Sequence, residues 1–255
     1  MRIRPNPMKR KLKGGASVFG VGARLPEPGI VEILGYAGLD YVRIDGEHGS
    51  IGWTEMERMI LAAYAVGITP IVRIHENNAA MIMRALDLGA MGILVPHCRS
   101  AEDAQQIVDG ALYPPQGKRG VGPGRSIKFG AVSTEDYYAG INDEIVVTAM
   151  IEDAEAVENI DEIVEVEGID VLSIGKSDLA ASLGVTGQTS HPKVIEASER
   201  VLAAAARKDI AVGCPAGTVE DALQAMERGF RVLSCGNAET FLLKSVQQHV
   251  RALQR

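Results

Sequence analysis

The sequence contains no apolar run approaching the roughly 18 residues that a membrane-spanning helix needs, so a membrane-embedded chain is not expected. It has only three cysteines, Cys98, Cys214 and Cys235, too few and too scattered for a disulfide framework. That usage points to a reducing compartment, and a cytoplasmic location is expected. Positive charge is not in excess. The net charge of -7 lacks the basic footprint of a nucleic-acid binder. The start, MRIRPNPMKRKLKGG, is basic, but only residues 16–19 follow before another glycine. A signal peptide needs a longer apolar core, so none is expected, and residues 1–15 read as a flexible basic segment. A Gly-x-Gly-x-x-Gly turn after the first strand-like run is also missing, which weighs against a doubly wound dinucleotide-binding sheet.

The rest is ordinary globular composition: 46% hydrophobic and 23% charged residues exclude a disordered chain. Short apolar runs alternate with helical patterns. Strands are predicted at 18–21, 40–44, 69–72, 91–95, 144–151, 170–174, 210–213 and 231–235. Helices are predicted between and after them, at about 28–37, 54–65, 78–88, 101–111, 154–164, 193–207, 219–228 and 238–253, with a short one from Ser177. Gly38, Gly89 and Gly229 read as helix C-caps turning into the next strand. Eight strand–helix repeats with no internal boundary predict one α/β domain, a (β/α)8 TIM barrel over residues 1–255. The segment 113–130, rich in Gly, Pro and basic residues, is long and irregular, as functional or mobile loops are.

Barrel enzymes carry their chemistry at the C-terminal ends of the strands. Here those ends hold Asp45, Glu47 and His48 in IDGEHG, then Arg73, His97, Glu152, Lys176 with Asp178, Cys214 and Asn237. Glu152 and Asp178 lie one strand–helix unit apart. Two carboxylates so placed either share a hard divalent cation or cap the helices they precede. Arg73 suits an oxyanion, or a rim ion pair with Asp45 or Glu47. Imidazole titrates near neutrality, so His48 is the best candidate base, with Asp45 close enough in sequence to orient it. His75 and His97 lie near the rim, whereas His191 and His249 read as solvated. The cysteines have no activating partner and read as small core residues.

These residues and their order resemble the HpcH/HpaI-type family of metal-dependent (class II) pyruvate aldolases over about residues 20–243. The resemblance rests on IDGEHG at 44–49, Arg73, LDLGAMGILVP at 86–96, YPPQGKRGVG at 113–122, MIE at 150–152 and VEGIDVLSIGKSDLAASLG at 166–184. It implies that Glu152 and Asp178 hold a divalent metal (Mg²⁺, Mn²⁺ or Co²⁺). His48 would be the proton acceptor in a dyad with Asp45, Arg73 would stabilise the enolate, and Asp87 would raise the basicity of the histidine. The backbone around Ser177 and Asp178 would receive the carboxylate of a 2-oxo acid, with Met150 and Gly175 as further substrate contacts. The activity implied is cleavage or formation of 4-hydroxy-2-oxo acids to or from pyruvate and an aldehyde. It also implies a homohexamer in which the C-terminal helix is exchanged between partners. Asp87 sits before strand four, at the end of the barrel opposite the rim, and could reach a His48 only through such an assembly.

Two departures bear on the substrate. Met150 stands where many members carry Gln, and Lys176-Ser177 stand in the family's Gly-Pro-x-Asp. Lys176 also opens two alternatives: a class I aldolase forming a Schiff base, or, with Met150 read as decay, a non-catalytic metabolite-binding barrel.

Overall fold

In a computed structural model, residues 3–122 and 124–254 are described; Met1 and Arg2 of the basic start, Pro123 of the long loop and Arg255 lie outside the described residues. Eight strands among these residues close a parallel barrel in chain order: β1 (Val18–Ala23), β2 (Tyr41–Asp45), β3 (Thr69–Arg73), β4 (Gly92–Val95), β5 (Val146–Ile151), β6 (Val171–Ile174), β7 (Ala211–Pro215) and β8 (Val232–Asn237). Helices α1 (Pro7–Lys13), α2 (Pro28–Tyr36), α3 (Trp53–Val66), α4 (Ala79–Asp87), α5 (Ala101–Ala111) and α6 (Thr134–Gly140) lie in the first half. The second half adds α7 (Ala154–Glu158), α8 (Ile160–Ile163), α9 (Lys176–Ser182), α10 (Pro192–Ala206), α11 (Val219–Glu227) and α12 (Ala238–Leu253).

Most strand residues are buried, those of β8 past Leu233 being only partly so, which explains why the strands read as near-continuous apolar runs rather than alternating ones. Outward residues such as Val42, Ile44 and Val72 pack against the helices in the main core. Inward residues Tyr41, Ile71, Leu94, Val146, Met150 and Val171 fill the barrel with Met8 and Leu12 of α1. The register of β2 against β3 sets Asp45 opposite Arg73 at the rim.

Three segments differ from the sequence reading. Residues 7–13 of the basic start are helix α1 rather than a flexible tail. Met8 and Leu12, one turn apart, seal the barrel interior, and Asn6 caps the helix by accepting from Lys9 N–H at 3.2 Å. The positive charge is itself anchored, since buried Lys9 pairs with Asp170 at 2.9 Å. The helix expected at 154–164 is broken in two at Asn159, whose side chain donates to the carbonyl of Arg99 at 2.9 Å. The backbone of Asn159 leaves the helical region there, at φ -91° and ψ 8°. Finally, α6 was not expected from the sequence. Ser133 caps it, and its Tyr137 and Tyr138 pack edge-on against Tyr113.

Candidate active site

The end of β2 is organised around one buried carboxylate. Asp45 is fully buried and accepts from Arg73 Nε at 3.0 Å, Arg73 Nη2, Arg24 Nε at 3.2 Å, and the backbone N–H groups of Glu47 (3.2 Å) and His48 (3.1 Å). Burial alone would raise its pKa. The hydrogen bonds and charge of Arg73 outweigh that and hold it well below the ordinary carboxylate range. Glu47 completes the clamp as an ion pair, its Oε2 2.9 Å from Arg73 Nη1. Arg73 thus makes both of the rim ion pairs open to it while still lining the cavity.

Asp45 and His48 do not form the side-chain dyad that the resemblance implies. Asp45 holds the backbone of His48, while the imidazole is half-exposed with Nε2 3.7 Å from Glu47 Oε2. The physical reason is competition: the Asp45 oxygens already receive two guanidinium groups and two backbone amides, and no lone pair is left for the ring.

Across the barrel mouth, β5 leads into Glu152, a buried side chain whose Oε1 accepts the backbone N–H of His97 at 3.0 Å. His97 adopts a left-handed φ of 53° to present that N–H, and its ring meets Asp153 at 3.0 Å. Burial, and then the charges of Asp178 and Glu47, push the Glu152 pKa up against the opposing effect of His97. Asp178 is therefore close enough for the two carboxylates to sense each other. Gly175 makes room for this arrangement: a Cβ there would stand 2.4 Å from Glu152 Oε2 and 3.1 Å from Met150 Cε. No side chain caps α9, so its first-turn amides have no side-chain partner.

A cavity of about 300 Å³ opens at this end of the barrel, lined by His48, Arg73, Met150, Gly175, Ser177 and Asp178. Glu152 lies directly behind Gly175. Among the described residues no cluster of three or more His, Cys, Asp or Glu side chains forms a metal cage. The donors that do converge are two hard carboxylates on adjacent strand ends, one buried and destabilised by its neighbour's charge. That pairing fits a divalent cation which takes its remaining ligands from water or substrate oxygens.

Asp87 is not at this mouth. It ends α4 and accepts from Arg119 Nη2 at 2.6 Å within the same chain, and that guanidinium is buried over the Tyr113 ring. Lys176 is half-buried and also lines the cavity. His75 is exposed, whereas His191 is half-buried and caps α10. Cys98 and Cys214 are buried, and burial pushes both thiols up, Cys98 to about 12. Sequence reasoning missed Arg24, which shares Asp45, and Arg43, which lines the cavity from inside the barrel. The signal for Arg43 was present in DYVRID: a period of two puts Tyr41, Arg43 and Asp45 on one face.

The sequence profile of the HpcH/HpaI aldolase/citrate lyase family matches residues 20–244. The 5-keto-4-deoxy-D-glucarate aldolase of Shigella boydii is 34% identical over 234 residues, covering 91% of this chain and 90% of the relative. The 2-keto-3-deoxy-L-rhamnonate aldolase of Klebsiella pneumoniae is 37% identical over 214 residues, covering 83% and 78%. The crystal structure of an HpcH/HpaI aldolase/citrate lyase family protein from Burkholderia cenocepacia superposes with a TM-score of 0.93 at 31% identity, covering 98% of this chain and all of that one (100%). A match of this length, on a barrel whose mouth carries the rim groups just described, has one reading: the chain belongs to the HpcH/HpaI aldolase/citrate lyase family.

Proposed function

We propose that this chain is a metal-dependent aldolase that cleaves or forms 4-hydroxy-2-oxo acids, with pyruvate and an aldehyde as the other side of the reaction. The observation that carries the reading is one cavity lined by Asp178, a clamped guanidinium (Arg73) and an accessible imidazole (His48), with the buried carboxylate of Glu152 behind its Gly175 wall. The relatives named as aldolases of keto-deoxy sugar acids support it.

Glu152 and Asp178 would hold the divalent cation, Mg²⁺, Mn²⁺ or Co²⁺. When bound, such an ion supplies Lewis acidity at the 2-oxo group. The free amides at the start of α9, around Ser177 and Asp178, would orient the substrate carboxylate, and Met150 and Gly175 would shape the wall beside it. His48 takes the proton of the 4-hydroxyl, directly or through a water. The O–H electron pair becomes the aldehyde C=O, the C3–C4 bond breaks, and its electrons pass to the pyruvate enolate. Arg73 is fixed by Asp45 and Glu47 on the cavity wall, so its guanidinium needs no reorganisation to stabilise the enolate oxygen. Protonation at C3 completes pyruvate.

The same proposal extends to assembly. No residue of α12 is buried in the chain alone, and its Phe241, Leu242, Val246 and Val250 are all exposed. A second copy of the chain is the partner that would cover them. Asp87, at the opposite end from its own His48, could act on a histidine only across such an interface.

The test is pyruvate release from 4-hydroxy-2-oxo acids with chelator and with restored metal. A Schiff-base enzyme acting through Lys176 would ignore the chelator and be trapped by borohydride with pyruvate. A binding-only barrel would release no pyruvate under either condition.

A further inference from the structure

The ladder between β4 and β5 ends at Val95 and Ala149, yet the chain past β4 stays bound to the end of β5 and the loop beyond it. Cys98 N–H donates to the carbonyl of Met150 at 3.1 Å, and His97 N–H donates to Glu152 Oε1 at 3.0 Å. The His97 ring meets Asp153 Oδ2 at 3.0 Å, and Arg99 Nε lies 3.2 Å from the same oxygen. Asn159 Nδ2 in turn donates to the carbonyl of Arg99 at 2.9 Å. Residues 97–99 therefore form a clasp that closes over Glu152.

A strained residue stands at the centre of the clasp. At φ 53° His97 is in the left-handed region, which His, Asn and Asp enter more readily than other side chains and β-branched residues almost never do. Such a conformation costs free energy and persists only where the surroundings over-determine it. Here the bond from the ring to Asp153 and the amide bond of Cys98 fix the residue from both sides. What the strained conformation delivers is a backbone N–H aimed at one oxygen of a buried carboxylate. Glu152 Oε1 is thereby occupied. Its Oε2 accepts no hydrogen bond among the described residues and lies against Gly175, where a Cβ would stand 2.4 Å from it.

We infer that His97 is a positioning residue for Glu152: its left-handed backbone sets the rotation of the carboxylate and leaves Oε2 as the oxygen available to the divalent cation. The inference rests on the metal-dependent reading and deepens it. The imidazole serves by holding the backbone, so a residue that enters the left-handed region without a ring should serve in its place. A metal-binding carboxylate depends on the hydrogen bonds that orient it, and losing such a partner weakens metal binding by about 10- to 100-fold.

The experiment measures Mn²⁺ binding to the full chain by calorimetry, alongside the Tm of each variant. His97→Gly and His97→Asn, which accept a positive φ, are expected to bind Mn²⁺ within about threefold of the wild-type chain. His97→Val, which excludes that φ, is expected to bind about 10- to 100-fold more weakly. A clasp that merely ties two loops together would lower the Tm of His97→Val and leave its Mn²⁺ affinity at the wild-type value, which would overturn the inference. Equal weakening by Gly and Val would assign the effect to the ring and overturn it as well. Should His97→Val fail to fold, His97→Ala is compared with His97→Gly: alanine should bind about threefold or more weakly than glycine, and equal affinities would overturn the inference. Glu152→Gln and pyruvate release from 4-hydroxy-2-oxo acids separate this inference from the reading beneath it. If the wild-type chain binds no Mn²⁺, or Glu152→Gln binds it as tightly, both fall. If binding depends on Glu152 and not on the residue at 97, the metal reading stands and the inference falls. If binding depends on both and no pyruvate is released, the aldolase reading falls and the positioning role stands.

Discussion

Replacing Asp45 by Asn tests the keystone of the rim. Asp45 accepts from two guanidinium groups and two backbone amides, whereas Asn offers one carbonyl oxygen and turns an NH₂ toward the remaining donors. Arg73, whose side chain is only 7% exposed, would be left with Glu47 alone. Breaking a buried ion pair from one side costs about 3–5 kcal/mol, and the surviving Glu47 contact places the loss near the lower end, about 3 kcal/mol. In a chain of this size that lowers Tm by roughly 6–12 °C. The pH dependence has a definite sign. The folded-state pKa of Asp45 is depressed, so its stabilisation is complete above the unfolded carboxylate pKa of about 4 and fades as pH falls below it. Urea unfolding of the two proteins should therefore show the full gap at pH 7 and a gap smaller by about 1 kcal/mol at pH 3. A loss under about 1 kcal/mol at pH 7, or a gap identical at both pH values, would refute the reasoning.

Three further outcomes are expected. His48→Ala should lower the pyruvate-releasing rate by about 10²- to 10⁴-fold with an unchanged Tm, because the imidazole is 52% exposed and supports no packing; an unchanged rate would remove it as the base. Gly175→Ala should weaken Mn²⁺ binding, followed by calorimetry, by about tenfold or more, since the new methyl would stand 2.4 Å from Glu152 Oε2; unaltered affinity would detach Glu152 from the metal. Leu242→Glu, at a position 64% exposed in the single chain, should reduce the mass found by sedimentation, and an unaltered mass would place the subunit contact elsewhere than α12.

The barrel was readable because most of its strand residues are buried and its helices are amphipathic, so period and length alone separated them. The rim residues followed from the rule that strand ends carry the chemistry; in the structure His48, Arg73 and Asp178 line one cavity, with Glu152 behind Gly175. What sequence could not convey is which atoms meet. Asp45 and His48 are three residues apart, and that spacing serves a backbone bond as well as a ring bond; the outcome was decided by Arg73 and Arg24, distant in sequence. Helix α1 was hidden by its charges, because the two apolar residues that matter, Met8 and Leu12, are outnumbered by Lys9, Arg10, Lys11 and Lys13. Asp87 was placed correctly at the far end, but its partner Arg119 comes from the irregular loop, where no periodicity points.

The central claim is metal-dependent aldol chemistry at the Glu152–Asp178 mouth, and the most direct measurement is pyruvate release from a panel of 4-hydroxy-2-oxo acids. The account predicts release that chelator abolishes, that Mg²⁺, Mn²⁺ or Co²⁺ restores, and that Glu152→Gln removes. Release unaffected by chelator and by Glu152→Gln would contradict it.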